Sequence, residues 1–233
     1  GWIGDNFGLR TVYMVSSGIF VISLIFIYAL PAQPISKKDP GMASNDLLKN
    51  NRYVLFLGVI FVSMFAAYLP QPLTPKFLQE IRELSLSQIG LLGSLGAVGN
   101  VFFNLSLGQL NARLGFMIGQ ALTGLFALLI WRGSGVGVYG LAYFLLGGYR
   151  AARSLANAHV RSLVTEAQMG LAFGLSETVS AISLILAPPL AGYLYIGTPE
   201  SLFPLSLLLI ALGIVLTLVF SSRTPPELEL ETV

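Results

Sequence analysis

One acidic residue, Glu177, lies in the otherwise apolar stretch GLSETVSAISLILAPPLAG at residues 174–192. An apolar run of this length can cross the hydrocarbon core of a bilayer, which takes about 20 helical residues. An ionised, unpaired carboxylate near the bilayer centre costs at least about 2.5 to 3.5 kcal/mol. Glu177 must therefore be paired, protonated or in contact with water. Its chemistry is that of an ion pair, a proton carrier or a substrate contact.

The preceding apolar segment supplies basic partners on a single helical face. Steps of three and four residues bring together Tyr139, Tyr143, Leu146, Arg150, Arg153, Asn157 and Arg161. Counted from an outer end at residue 136, Arg150 lies about 21 Å along the helix, at a depth comparable with that of Glu177. We therefore predict that Glu177 pairs with Arg150, with Arg153 as the second choice. The pair could lock two helices together or serve substrate binding or proton coupling, and the sequence leaves these roles open.

Small and amide side chains mark two further helical faces. Ser176, Ser180, Ser183 and Ala187 recur at steps of four, three and four, which predicts a face for close helix packing. Asn100 and Asn104 lie one turn apart and could bind a substrate across a central cavity or bond between helices. The candidates for substrate binding or coupling are Glu177, Arg150, Asn100, Asn104, Tyr143 and Arg153.

Other kinds of chemistry lack the residues they need. The sequence contains no cysteine and a single histidine, His159, so a metal site is not expected. It also has no phosphate-binding glycine loop, nucleophile elbow or helical His-Glu-x-x-His pattern. We therefore predict no metal, no cofactor and no enzymatic activity. Nothing indicates a nucleic-acid partner.

The elements that position these residues are membrane spans. Of the 233 residues, 55% are hydrophobic and 10% are charged, against about a quarter charged in soluble domains. The composition predicts an all-α, polytopic protein whose main partner is the lipid bilayer. Hydropathy and turn residues place seven spans, at residues 11–30, 53–70, 87–110, 116–131, 136–157, 169–195 and 202–220.

Basic residues predict the orientation of these spans. If the long polar loop at 31–52 is cytoplasmic, nine of the 13 lysines and arginines lie on that side and four on the other. The C-terminal tail is then cytoplasmic as well. We expect a multi-pass protein of the cell membrane with both segments inside.

Polarity along the chain repeats every three spans. The first, fourth and seventh spans lack charged groups, while the charged and asparagine side chains lie in the spans between them. This alternation predicts a three-helix repeat whose third member faces lipid. Between two of the spans, the loop GQLNARLGF carries Gly108, Arg113 and Gly115, together with Ala112 and Phe116.

Taken together, these features resemble the major facilitator superfamily of secondary transporters. The family's loop motif is Gly-x-x-x-Asp-Arg-x-Gly-Arg; Gly108, Arg113 and Gly115 match it, whereas Ala112 replaces the acid and Phe116 the last arginine. The segments GWIGDNFGLRTVY and APPLAGYLY are similar to the family's turns after the fifth and eleventh helices. The resemblance implies inverted three-helix repeats, with residues 1–30 as the last helix of an N-terminal half. It further implies a central loop at 31–52, a six-helix C-terminal half at 53–221 and a tail at 222–233.

The resemblance also implies a function and a missing partner. Such a protein would move a small solute by alternating access, with a proton as one candidate coupling ion. The chain would be a fragment that lacks the first five helices, so its partner would be the absent N-terminal half and it would be inactive alone. The alternative is a seven-helix receptor, although no span contains a lysine that could bind retinal. Substrate, direction of transport and coupling ion remain open.

Overall fold

A computed structural model describes residues 2–28 and 47–220 of the chain, and all regular secondary structure in these residues is helical. The helices are α1 (Trp2–Tyr28), α2 (Asn51–Tyr68), α3 (Thr74–Glu80), α4 (Leu86–Leu107), α5 (Ala112–Arg132), α6 (Val136–Arg161), α7 (Met169–Gly197) and α8 (Leu202–Phe220). Single turns of 3-10 helix, Glu166–Gln168 and Pro199–Ser201, precede α7 and α8. The prediction of an all-α membrane protein is confirmed.

Six helices in the described part of the chain are long and apolar enough to cross a membrane, namely α1 from Arg10, α2, α4, α5, α7 and α8. The remaining predicted span, 136–157, corresponds to α6, which is 26 residues long. It is less apolar than the others because Arg150, Arg153 and Asn157 occupy its second half. The predicted count of seven spans is therefore not exactly matched, because six helices of the described chain qualify and α6 does not.

The start of α2 is tied to the loop between α6 and α7. The Asn50 side chain caps α2 by accepting from the backbone N–H groups of Arg52 and Tyr53 at 3.2 and 3.3 Å. Its amide nitrogen also donates to the Leu163 carbonyl at 2.9 Å. These contacts place both segments on the same side of the membrane. The predicted tail at 222–233, and most of the predicted loop at 31–52, lie outside the described residues, so these boundaries stay predictions.

By their order along the chain, the long helices after α1 divide into two triplets. The first triplet is α2, α4 and α5, and the second is α6, α7 and α8. The first helix of each triplet packs on the last two of the other: α6 lies against α4 and α5, and α2 lies against α7 and α8, while α5 packs on α8. If α2, α4 and α5 are replaced in order by α6, α7 and α8, and the reverse, the same set of helix contacts results. Because successive long helices alternate in direction, α2 and α6 run oppositely, as expected for an inverted repeat.

The small-residue face of α7 is buried against α2. Ser176, Ser180, Ser183 and Ala187 are at most 3% exposed, as the spacing predicts. The Ser183 hydroxyl donates to the Phe61 carbonyl of α2 at 3.1 Å. This packing fixes the rotation of α7 about its axis. It thereby decides where the neighbouring Glu177 points.

Candidate functional site

Glu177 is held by two side chains of α6. The Arg153 guanidinium donates to one carboxylate oxygen of Glu177 and forms an ion pair with it. The Asn157 amide donates to the other oxygen at 2.6 Å. The Ser176 hydroxyl in turn donates to the Asn157 side-chain oxygen at 3.0 Å. We call these four residues, Arg153, Asn157, Ser176 and Glu177, the Glu177 cluster.

The predicted pairing of Glu177 with Arg150 is wrong, and the second choice, Arg153, is its partner. The reason is depth. Glu177 lies eight residues from the start of α7 at Met169, or about 12 Å. Because α6 continues to Arg161, four residues past the predicted end at 157, Arg153 also lies eight residues from that end, whereas Arg150 lies eleven. Arg150 is thus one turn too far into the membrane.

The Glu177 cluster is partly open. The side chains of Arg153 and Glu177 are 36% and 43% exposed in the described chain. The cluster also spans a seam, because α6 packs mainly on α4 and α5 whereas α7 packs mainly on α2. A charged pair that is neither fully buried nor part of a tight helix contact can be reached from one side by water, an ion or a solute.

A second polar site lies between α4 and α6. It is a cavity of about 180 Å³ lined by Gln71, Gly93, Gly96, Ala97, Asn100, Tyr143, Leu146, Gly147, Tyr149 and Arg150. We call it the Arg150 cavity. It brings together three of the predicted candidates, Asn100, Tyr143 and Arg150. None of its lining residues comes from α5 or α8, the two triplet members predicted to face lipid.

Asn104 lies behind Asn100 rather than in the cavity wall. Its amide nitrogen donates to the Asn100 side-chain oxygen at 2.7 Å and to the Asn100 carbonyl at 2.8 Å. Both bonds stay within α4, so the structure shows neither a bond between helices nor a direct lining role for Asn104. Instead, Asn104 orients the Asn100 amide, whose nitrogen is left as the group able to donate.

Close approach of two glycines forms the wall of the cavity. A Cβ atom added to Gly99 would overlap the backbone of Phe144, and one added to Gly147 would overlap the backbone of Gly99 and Asn100. The backbones of α4 and α6 are therefore in direct contact here, as small residues in membrane helices allow. By contrast, a Cβ at Gly93 would meet nothing within 4 Å. On α4, Gly99 therefore allows the close contact with α6, whereas Gly93 is not needed for it.

The residues of the loop motif hold helix ends. The Arg113 guanidinium donates to the Leu218 carbonyl in the last turn of α8 at 2.7 Å. A positive charge at this position also interacts favourably with the C-terminal end of the helix dipole. Gly115 packs against Leu155, where a Cβ would clash, and Gly108 ends α4. The motif lies apart from both polar sites.

Asn157 of the Glu177 cluster and Tyr149 of the Arg150 cavity were not among the predicted candidates. Asn157 falls on the predicted basic face, and its spacing from Arg153 was the available signal. Tyr149 gave no such signal, because what distinguishes it is tertiary: its ring is 7% exposed and its buried hydroxyl has no hydrogen-bond partner among the described residues. Leaving a buried hydroxyl unpaired costs about 1 to 3 kcal/mol.

Neither site is suited to a metal. In the part of the chain that the structure describes, no three His, Cys, Asp or Glu side chains come together in an arrangement that could hold an ion. The polar groups present are one carboxylate, two guanidinium groups, amides and hydroxyls. They suit hydrogen bonding and charge pairing with a polar solute.

Comparison with models of protein families gives a match. A family model described as "Major Facilitator Superfamily" matches residues 56–232. The match takes in most of α2 and every later helix, together with both polar sites. No curated protein matches the chain.

Proposed function

Since the chain belongs to the major facilitator superfamily of membrane transporters, we propose that it forms the C-terminal half of a secondary transporter. The transporter would move a small solute by alternating access, with a midplane site that opens to each side of the membrane in turn. The exchange of triplets seen in the packing supports this proposal, because the family's halves are inverted repeats. No described feature favours the seven-helix receptor.

The observation that carries the proposal is the Arg150 cavity. Arg150 lies fourteen residues from the outer end of α6, or about 21 Å along it. A charged side chain at such a depth is costly, and it is kept where it faces a polar pathway. The cavity lies among α4, α6 and the segment that follows α2, and on this proposal it forms one wall of a solute site between the two halves.

We further propose that the Glu177 cluster couples transport to an ion. Protonation of Glu177 would remove the charge that holds Arg153 and would weaken the link between α6 and α7. The seam could then open while the cavity changes the side of the membrane to which it is accessible. The partial exposure of both side chains supports this role, since a proton must reach the carboxylate.

The test is transport by the full-length gene product in proteoliposomes that contain a pH-sensitive dye. A panel of carboxylates, sugars and amines is added outside, and proton movement is recorded with each. We expect one solute class to drive proton movement, and we expect Glu177→Gln to reduce its rate more than tenfold. The matched control is Glu200→Gln, because Glu200 is exposed in the turn before α8. An unchanged rate and pH dependence in Glu177→Gln would remove the coupling role of Glu177, and no proton movement with any solute would contradict coupling to a proton.

Fragment status and orientation belong to the same proposal. We expect the gene upstream of residue 1 to encode five further spans, and we expect the 233-residue chain alone to be inactive in the same assay. The loop at 31–52 and the C-terminal tail would face the cytoplasm from the cell membrane. Uptake by the 233-residue chain alone would contradict the fragment.

A further inference from the structure

We propose that the Arg150 cavity binds a small organic anion, with the Arg150 guanidinium pairing with its charge. This inference rests on the proposed function, since it names the chemical class of the transported solute. It is carried by the charge of the cavity wall, by its surplus of hydrogen-bond donors and by its size.

The wall of the cavity carries an uncompensated positive charge. Arg150 is the single charged residue among the lining residues. In the described chain, no carboxylate forms an ion pair with its guanidinium. Glu177 on α7, the helix that follows α6 along the chain, is already bound by Arg153 and Asn157. The Arg150 side chain is exposed in the described chain, so an anionic ligand can reach its charge and pair with it.

Hydrogen-bond donors outnumber acceptors around this charge, and the one amide oxygen to add on the acceptor side is that of Gln71, whose nitrogen already donates to the Ala67 carbonyl at 2.7 Å. The oxygen of the Asn100 amide is occupied by Asn104, which leaves the nitrogen to donate. Tyr149 also lines the cavity, and its hydroxyl is buried without a hydrogen-bond partner among the described residues. Carboxylate and phosphate oxygens accept several hydrogen bonds at once, and guanidinium binds both groups through paired N–H donors. The cavity therefore favours an acceptor-rich anion over a cation or a neutral solute.

The dimensions limit the solute. A volume of about 180 Å³ is smaller than the roughly 300 to 1,000 Å³ of sites for drug-sized ligands. Beside Arg150, on the same face of α6, the lining includes the aromatic ring of Tyr143 and the side chain of Leu146. A solute with one anionic group and a single ring or short chain fits this combination.

Three probes of equal size separate charge from shape: benzoate, benzamide and benzylamine. Each is added at millimolar concentration and constant ionic strength to the purified full-length gene product, and its thermal unfolding is followed. A ligand that binds only the folded state raises the melting temperature as its concentration rises. We expect benzoate to raise it and benzamide and benzylamine to leave it unchanged. Phenyl phosphate forms a fourth arm, which distinguishes a carboxylate from a phosphate ester as the anionic group.

Two variants locate the binding. Arg150→Gln should weaken benzoate binding about ten- to hundredfold, which is the effect of losing a charged hydrogen bond. Gly93→Leu should abolish binding by filling the cavity, because a side chain at Gly93 has open space before it. Gly58→Leu is the matched control, since Gly58 also has no neighbour within 4 Å and does not line the cavity. It should bind benzoate as the unmodified protein does.

Several results would overturn the inference. They are stabilisation by benzylamine or benzamide equal to that by benzoate, unchanged benzoate affinity in Arg150→Gln and Gly93→Leu, or no stabilisation by either anion. Its failure can be told from failure of the proposed function. Transport of a neutral or cationic solute would support the proposed function and contradict an anionic solute. Benzoate binding without transport of any solute would support the anion site and contradict the proposed function.

Discussion

Arg150 and Arg153 lie three positions apart on α6 and meet different surroundings. Arg153 is level with Glu177 and forms an ion pair across the seam to α7. Arg150 is one turn deeper and lines the cavity with Asn100 and Tyr143. We therefore assign a bracing and coupling role to the first arginine and a solute-binding role to the second.

A double-mutant cycle on Arg153 and Glu177 measures the strength of the brace. Because both side chains are more than a third exposed, water screens the pair, and we expect a coupling energy of about 0.5 to 1 kcal/mol. Arg153→Gln, Glu177→Gln and the double variant are compared by unfolding in detergent. A coupling energy several times larger would show a dry, fixed lock and would contradict a pair that opens during transport.

Two tyrosines should respond oppositely to loss of the hydroxyl. The Tyr53 hydroxyl donates to the Ala172 carbonyl at 2.9 Å, so Tyr53→Phe should lower the free energy of unfolding by about 1 kcal/mol. The Tyr149 hydroxyl is buried without a partner among the described residues. Tyr149→Phe should therefore leave the ligand-free protein as stable or stabilise it, while weakening benzoate binding. A Tyr149→Phe protein less stable than Tyr53→Phe would contradict this assignment.

At the scale of helices, the contact between α4 and α6 is set by Gly99 and Gly147. Since a Cβ at Gly99 would overlap the backbone of Phe144, Gly99→Ala must push the two helices apart. We expect a loss of at least about 2 kcal/mol in the free energy of unfolding.

The control for this change lies on the same helix. Gly93→Ala adds the same methyl group where nothing lies within 4 Å, and it should be neutral or slightly stabilising because alanine favours helix. Unfolding of both variants in detergent provides the comparison. Equal effects at Gly93 and Gly99 would contradict the close approach.

Features that depend on residues within one helix could be predicted from the sequence, whereas features that depend on contacts between helices could not. Hydropathy located the long helices, and spacing along a helix predicted the buried face of Ser176, Ser180 and Ser183, because both depend on local periodicity. The choice between Arg150 and Arg153 depended on where α6 ends, which hydropathy misjudged because the last turn of α6 is polar. The unpaired hydroxyl of Tyr149 and the difference between Gly93 and Gly99 depend on neighbouring helices. No pattern within one helix encodes them.

At the scale of the whole molecule, the two triplets form the inverted repeat on which the proposed alternating access rests. The cavity lies between α4 and α6, helices from different triplets, and the Glu177 cluster links α6 to α7 within the second triplet. Movement of α7 with α2 relative to α6 would change both sites together. This is the physical basis for linking an ion at Glu177 to a solute at Arg150.

The most direct test asks whether the cavity is reached from both sides of the membrane. Ala97 lines the cavity eleven residues from the outer end of α4, or about 16 Å along it. Ala97→Cys is introduced into the full-length gene product and treated with a membrane-impermeant thiol reagent in sealed right-side-out and inside-out vesicles. The same protein without the new cysteine is the control. We expect Ala97→Cys to be labelled from both sides, and labelling from one side only, or from neither, would contradict alternating access.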